Sequence, residues 1–260
     1  MIKQLLIYTL ALTPIAALAE LQPGDPEHDG LALERRADQM EAGYIGEYRD
    51  MTLVMINAQG QEAVRQLSYE ALEEPDRNDK TVIRFTFPPD TKGTTLLTHE
   101  RGAEDDDQWL YLPSLKRVKR IASSNKSGSF MGSEFAYEDM VARQFQKYHF
   151  RYLRDEVVDG RDCYVIERTP KSANSGYSKV TRWLFKDNLQ ELKSDFYDRK
   201  GQLLKQRIME GHHQVNGYWR VSKITVNNVQ TGKSSVLTFD DVQVKVAQPA
   251  RKFSVRGFGG

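Results

Sequence analysis

The chain has 260 residues, 39% of them apolar and 28% charged, with 37 basic and 36 acidic side chains. That balance suits a soluble globular protein and excludes a disordered or membrane-embedded one. A formal charge of +1 excludes any global field that would recruit nucleic acid or an anionic membrane, so such contacts must be local.

The first nineteen residues read as a secretory signal: Lys3 as the positive region, Leu5 to Leu12 as the apolar region, Pro14 as a break, and Ala17-Leu18-Ala19 as the cleavage site before Glu20. The apolar run is shorter than the ~20 residues that span a bilayer. Position 20 is Glu and not Cys, so a lipoprotein's attachment site is missing. The expectation is a cleaved signal over 1–19 and a single domain over 20–260, exported to the periplasm. Cys163 is the one cysteine, which excludes an intramolecular disulfide; in an alternating strand it reads as a buried small hydrophobe.

Residues 20–29, with Pro23, Gly24, Pro26 and Asp29, read as a mobile leader. Leu33, Ala37, Met40 and Tyr44 then share one helical face, with Gly43 near its end. The period changes to two after that. Met51, Leu53 and Met55 alternate, as do Leu67, Tyr69 and Ala71, and Ile83, Phe85 and Phe87, and each set marks a strand. Strands continue over 94–99, 108–112 and 115–121. A helix is expected next, capped by Ser133 and striped by Tyr137, Val141, Phe145 and Tyr148. Strands resume over 149–158, 163–169, 179–185, 191–197, 203–209, 218–229 and 234–246. Asp159-Gly160, Asp187-Asn188, Asn216-Gly217 and Thr231-Gly232 supply turn chemistry between them. A meander of this length curls towards a barrel, or to a half-barrel whose mouth the helices fill.

Tests for chemistry find little. His212 and His213 are adjacent on a strand end and point to opposite faces, so they cannot share one metal ion. Glu104 to Asp107 lacks the alternating ligands and central glycine of a calcium loop. Gly128-Ser129-Phe130-Met131-Gly132 is neither a nucleophile elbow nor a phosphate loop. No metal, cofactor or catalytic residue is assigned, and an enzyme is not expected.

Two features remain. Lys116, Arg117, Lys119 and Arg120 charge both faces of one strand. They read either as a protected edge or as a positive lip that meets phosphate headgroups or an anionic membrane surface. Trp109 with Tyr111, Trp183 with Phe185, and Tyr197 are core residues by default, or the lining of an apolar pocket on a concave sheet. The Phe130-Met131 loop reads as a sticky, exposed patch that covers something.

The central block runs in order through Lys92-Gly93-Thr94, Glu104 to Asp107, Trp109 to Pro113, Lys116-Arg117-Val118, Gly128 to Ser133 and Phe135 to Met140. With Gly160 to Glu167 and Lys179 to Trp183, it resembles the outer-membrane lipoprotein-sorting-protein-like, or LolA-like, family across residues 30 to 258. The resemblance implies an α+β fold, a single curled antiparallel half-barrel of about eleven strands with helices closing an apolar cavity. It implies a periplasmic carrier for a lipid, a lipoprotein acyl chain or another hydrophobic cargo. The alternative is an accessory or sensor module docking on an RND-type exporter or another envelope protein. Trp109, Tyr111, Trp183, Phe185 and Tyr197 are the expected lining, and Phe130, Met131, Phe135 and Tyr137 the expected mouth or lid. The family's lid arginine has no assigned position; Arg143 lies in the expected helix, but no motif places it.

Overall fold

The structure, a computed structural model, describes residues 21, 22, 24–141 and 145–258. It opens with α1 (Pro26–Met40). Pro26 sits where a missing N–H costs nothing, and the Asp25 carboxylate accepts the His28 N–H at 3.0 Å. The helix therefore begins inside the stretch expected to be a mobile leader, and it ends at Met40, before Tyr44. Gly30 faces the sheet, where an added Cβ would lie 2.8 Å from the backbone nitrogens of Arg151 and Tyr152. Its lack of a side chain sets how closely the helix approaches.

A first meander follows: β1 (Gly46–Ile56), β2 (Glu62–Leu72), β3 (Lys80–Phe87), β4 (Thr95–His99), β5 (Asp107–Leu112) and β6 (Arg117–Ile121). The chain then leaves the sheet and returns as β7 (Tyr148–Val158), β8 (Arg161–Pro170), β9 (Tyr177–Phe185), β10 (Glu191–Asp198) and β11 (Leu203–Glu210). A small ribbon, β12 (His213–Val215) with β13 (Tyr218–Arg220), precedes β14 (Lys223–Asn228) and β15 (Ser234–Val244). The strands of the main sheet run in the order β6-β5-β4-β3-β2-β1-β15-β14-β11-β10-β9-β8-β7, and neighbours are antiparallel. The sheet thus has thirteen strands, more than the eleven or so implied by the resemblance. The stretch expected as one strand over 218–229 is broken at Ser222, whose N–H turns back to the carbonyls of Glu210 and Gly211.

Pairing of β1 with β15 welds the two meanders at the middle of the sheet. The free edges are β6 and β7, which are consecutive in the chain. The sheet is open, and the described part of the connection between β6 and β7, residues 122–141 and 145–147, lies on its concave side as a strap.

The expected helix from Ser133 to Tyr148 does not form. The described part of this stretch holds only single 3-10 turns, Tyr137–Asp139 and Phe145–Lys147. Met131 and Gly132 both have positive φ (52° and 84°), and the Phe130 N–H donates to the Phe135 carbonyl at 2.7 Å, closing a tight loop. The Ser133 hydroxyl donates to the Phe130 carbonyl instead of capping a helix. Arg143 lies outside the described residues, as do residues 1–20.

The concave face carries the largest apolar cluster, with Met51, Leu53, Leu67, Ile83, Phe85 and Leu96 from the first meander. On the other half of that face α1 buries Leu33 and Ala37 against Phe150, Ile166 and Leu184. The convex face is covered near β3 and β4 by the C-terminal segment, where Phe253 and Phe258 pack on Val82 and Leu97.

Candidate functional site

Between the concave face, α1 and the strap lies a cavity of about 680 Å³. One wall is apolar: Met51 and Leu53 on β1, Leu67 on β2, Ile224 on β14 and Leu237 on β15. Phe130 and Phe135 of the strap complete it, and they are only 2% and 4% exposed. The other wall is ionic. The Arg220 Nη2 donates to Glu47 at 2.9 Å, and its Nη1 donates to Glu41 at 2.8 Å. Arg49, also hydrogen-bonded to Glu47, stacks between the rings of Tyr69 (5.0 Å) and Phe239 (5.2 Å) at the border of the two walls. Burial pushes the Glu47 carboxyl up, but the charges and hydrogen bonds of Arg49 and Arg220 outweigh it and hold it below the usual range. The Tyr44 hydroxyl donates to Asp79 at 3.1 Å, and burial raises both groups.

The cavity keeps its shape through two buried charge clusters. Arg182, fully buried on β9, bonds Glu34 of α1 and donates to Glu191 of β10 at 2.8 Å, so the helix is pinned to the sheet by charge. Arg207 and Ser194 satisfy the remaining Glu191 oxygen. The strap is pinned from β11. The Lys205 ammonium donates to Asp139 at 2.6 Å and to the Glu134 carbonyl at 2.8 Å. Asp139 also accepts from the Tyr177 hydroxyl at 3.0 Å and from the Ala136 N–H at 2.7 Å. Ser235, Asn228 and Gln108 add further bonds to strap residues, so strands from both halves of the sheet hold it. Burial pushes the Asp139 carboxyl up; the charge and hydrogen bond of Lys205 reverse that and leave it below the ordinary range.

Of the residues singled out from sequence, Phe130 and Phe135 line the cavity, while Met131 and Tyr137 pack against the same cluster behind them. The Phe130 side chain is therefore a core plug and not an exposed patch. The remaining aromatics lie away from the cavity. Trp109 and Tyr111 point to the convex face, where Tyr111 meets Phe258 edge-on at 6.5 Å. Trp183 and Phe185 share the convex side with Cys163 and Val165, under Lys193 (4.3 Å) and Arg161 (3.2 Å). Tyr197 rests against Lys179 at 5.0 Å. The reason is strand parity: Leu110, between Trp109 and Tyr111, takes the inward position.

Arg117, Lys119 and Arg120 are exposed on β6, an edge of the sheet, and Lys116 is exposed just before it. Arg120 pairs with Asp107; Lys116, Arg117 and Lys119 have no carboxylate partner among the described residues. The acidic loop is neutralised locally, with Asp106 on Lys147 and Asp107 on Arg101 and Arg120. His212 is turned to the Glu191 carbonyl (2.9 Å) and His213 to that of Gly211 (2.8 Å).

The polar lining escaped the sequence reading. Its signal was present: Glu47, Arg49, Met51 and Leu53 occupy alternate positions on β1 and share one face.

A Vibrio parahaemolyticus domain described as an outer membrane lipoprotein-sorting protein is 39% identical, with a TM-score of 0.88 over 90% of this chain and 100% of that one. The chain belongs to the outer-membrane lipoprotein-sorting-protein-like family. A DUF1329 family protein from Desulfovibrio piger is 31% identical, with a TM-score of 0.85 over 89% of this chain and 98% of that one. A LolA superfamily protein from Nitrosomonas europaea, 24% identical over 87% of this chain and 98% of that one, shares the fold at a TM-score of 0.70. A family model described as "Uncharacterized protein" matches residues 77–258. Comparison with curated proteins finds no match. The open, curled antiparallel half-barrel is thus a fold the chain shares with these relatives, the LolA superfamily protein among them.

The Lys205–Asp139 pair yields a test, because each side chain is 5% exposed. Lys205→Met is expected to cost about 3–5 kcal/mol in urea denaturation, since it strands a buried carboxylate. Adding Asp139→Leu should recover most of that loss. The pair's contribution is complete above the unfolded carboxylate pKa of about 3.9 and disappears as pH falls through the lower folded value. The double variant should therefore lose less stability in acid than the native protein. A Lys205→Met variant of native stability would contradict the pinning.

Proposed function

We propose that this protein is a periplasmic carrier that shields a lipid, a lipoprotein acyl chain or another apolar cargo inside its half-barrel. The observation that supports this reading is the cavity of about 680 Å³ with one wall built from aliphatic and aromatic side chains. That volume falls in the range of ~300–1,000 Å³ typical of small-ligand sites. Each methylene removed from water contributes about 0.8 kcal/mol, so a long chain is held with no covalent step. The lipoprotein-sorting description of the Vibrio relative supports the same reading. So do the signal-like segment at 1–19 and the lack, among the described residues, of a helix long and apolar enough to cross a membrane. Native mass spectrometry of protein purified gently from its own envelope is the test. The expected result is a population carrying one apolar ligand per chain, removed by organic extraction; uniformly empty protein that also ignores fluorescent acyl probes would overturn the reading.

Hand-over requires contact with a membrane, and the basic edge β6 is our candidate surface. Lys116, Arg117 and Lys119 are exposed with no carboxylate partner among the described residues, and each contributes about 1 kcal/mol near an anionic leaflet. Charge reversal of these three residues should abolish sedimentation with phosphatidylglycerol vesicles at low salt while leaving acyl-probe affinity unchanged. Undiminished sedimentation would rule the edge out.

A further inference from the structure

Most cations on the cavity wall are already matched by acids. Arg77 pairs with Asp38 and Glu73, Arg207 with Glu191, Arg220 with Glu41 and Glu47, and Arg49 with Glu47. Arg168 and Arg35 line the same cavity and have no carboxylate within ion-pairing distance among the described residues. Arg168 projects from β8, stacked on the Tyr148 ring at 4.6 Å. Its Nε is buried and has no hydrogen-bond acceptor. A buried guanidinium donor left without an acceptor is rare and calls for a partner. Arg35, exposed on α1 at the rim, stacks on Phe145 at 5.7 Å. Both rings line the cavity as well. Stacking fixes the guanidinium planes and leaves their N–H edges free for an oxyanion.

The acids whose charge reaches the Tyr148 ring are compensated. Asp139 is held by Lys205 and Tyr177, and Asp106 by Lys147. Glu138 accepts from the Ser175 hydroxyl at 2.7 Å and the Gly176 N–H at 2.8 Å, and burial raises its carboxyl towards the neutral form. Arg168 and Arg35 are therefore the lining cations left without an acid partner among the described residues, although Asp76, Asp79 and Glu100 also line the cavity.

We propose that the cargo is a single-chain anionic amphiphile, its carboxylate or phosphate head on Arg168 and Arg35 and its chain against Met51, Leu53, Leu67 and Leu237. This rests on the carrier reading and narrows it to a ligand class. Both head chemistries share the oxyanion that a guanidinium edge recognises.

The test displaces the neutral probe N-phenyl-1-naphthylamine from the full mature chain with dodecanoate, dodecyl phosphate and dodecanol at neutral pH. Either or both anionic compounds should bind at least about tenfold more tightly than dodecanol, as one charge-assisted hydrogen-bonding partner would give. Which of the two binds better separates a carboxylate from a phosphate source. Arg168→Gln should erase most of that preference, and the double Arg35→Gln, Arg168→Gln variant all of it. Equal binding of all three by the native protein, or a preference that survives in the double variant, would overturn the proposal while leaving the carrier reading intact. Failure of all three to displace the probe would overturn both. Should Arg168→Gln not fold, the native comparison and Arg35→Gln alone still decide.

Discussion

The two unpaired edges of this sheet, β6 and β7, are neighbours in sequence, and the rest of the structure follows from that constraint. An antiparallel sheet of thirteen strands curls, but here it does not close, because the described part of the chain between its edges lies on the concave side instead of pairing them. That connection brings its own apolar anchors. Phe130 and Phe135 are each worth about 1.5–3 kcal/mol on burial, and they seat the strap in the cluster formed by the first meander. The buried Lys205–Asp139 pair adds little net stability over an apolar equivalent, since desolvation offsets most of its attraction. Its role is register: it fixes where the strap sits, and so how much of the concave face stays open.

What stays open is amphipathic. Had α1 filled the concavity with leucines, the half-barrel would be a packed core. Instead the helix presents Ala37 inward with charged neighbours, and Arg182 draws it to the sheet through Glu34. Gly30 lets it approach the sheet closely. The space that remains has aliphatic residues from β1, β2, β14 and β15 and ionic residues from α1, β1, β8 and β13. Such a division suits a molecule with a tail and a head.

Much of the sheet was legible because alternation survives in strands such as β1 and β2, whose two faces differ in burial. The Met51-Leu53-Met55 and Leu67-Tyr69-Ala71 sets lie in strands as their spacing predicts. The family resemblance was legible in the central block. The helix over 133–148 was misread because an i, i+4 stripe records only which residues want burial; the side-chain bonds of Ser133 and Asp139, and partners as distant as Lys205, decide the backbone. The lining was misread for another reason. Trp109 and Trp183 drew attention by size, yet size carries no information about face, and the inward neighbours Leu110 and Leu184 are less conspicuous. Arg49 and Arg168 were invisible as lining because a charged residue on a strand reads as solvent-facing. Only the fold turns them towards a cavity.

The central claim is that cargo lies on the concave wall beneath the strap. Photocross-linking with a fatty acyl chain carrying a terminal diazirine, followed by peptide mapping, tests it most directly. Adducts on Met51, Leu53, Leu67 or Leu237, lost when unlabelled chain competes, are the predicted result. Adducts confined to the convex residues around Trp109 and Trp183, or spread evenly over the surface, would contradict it.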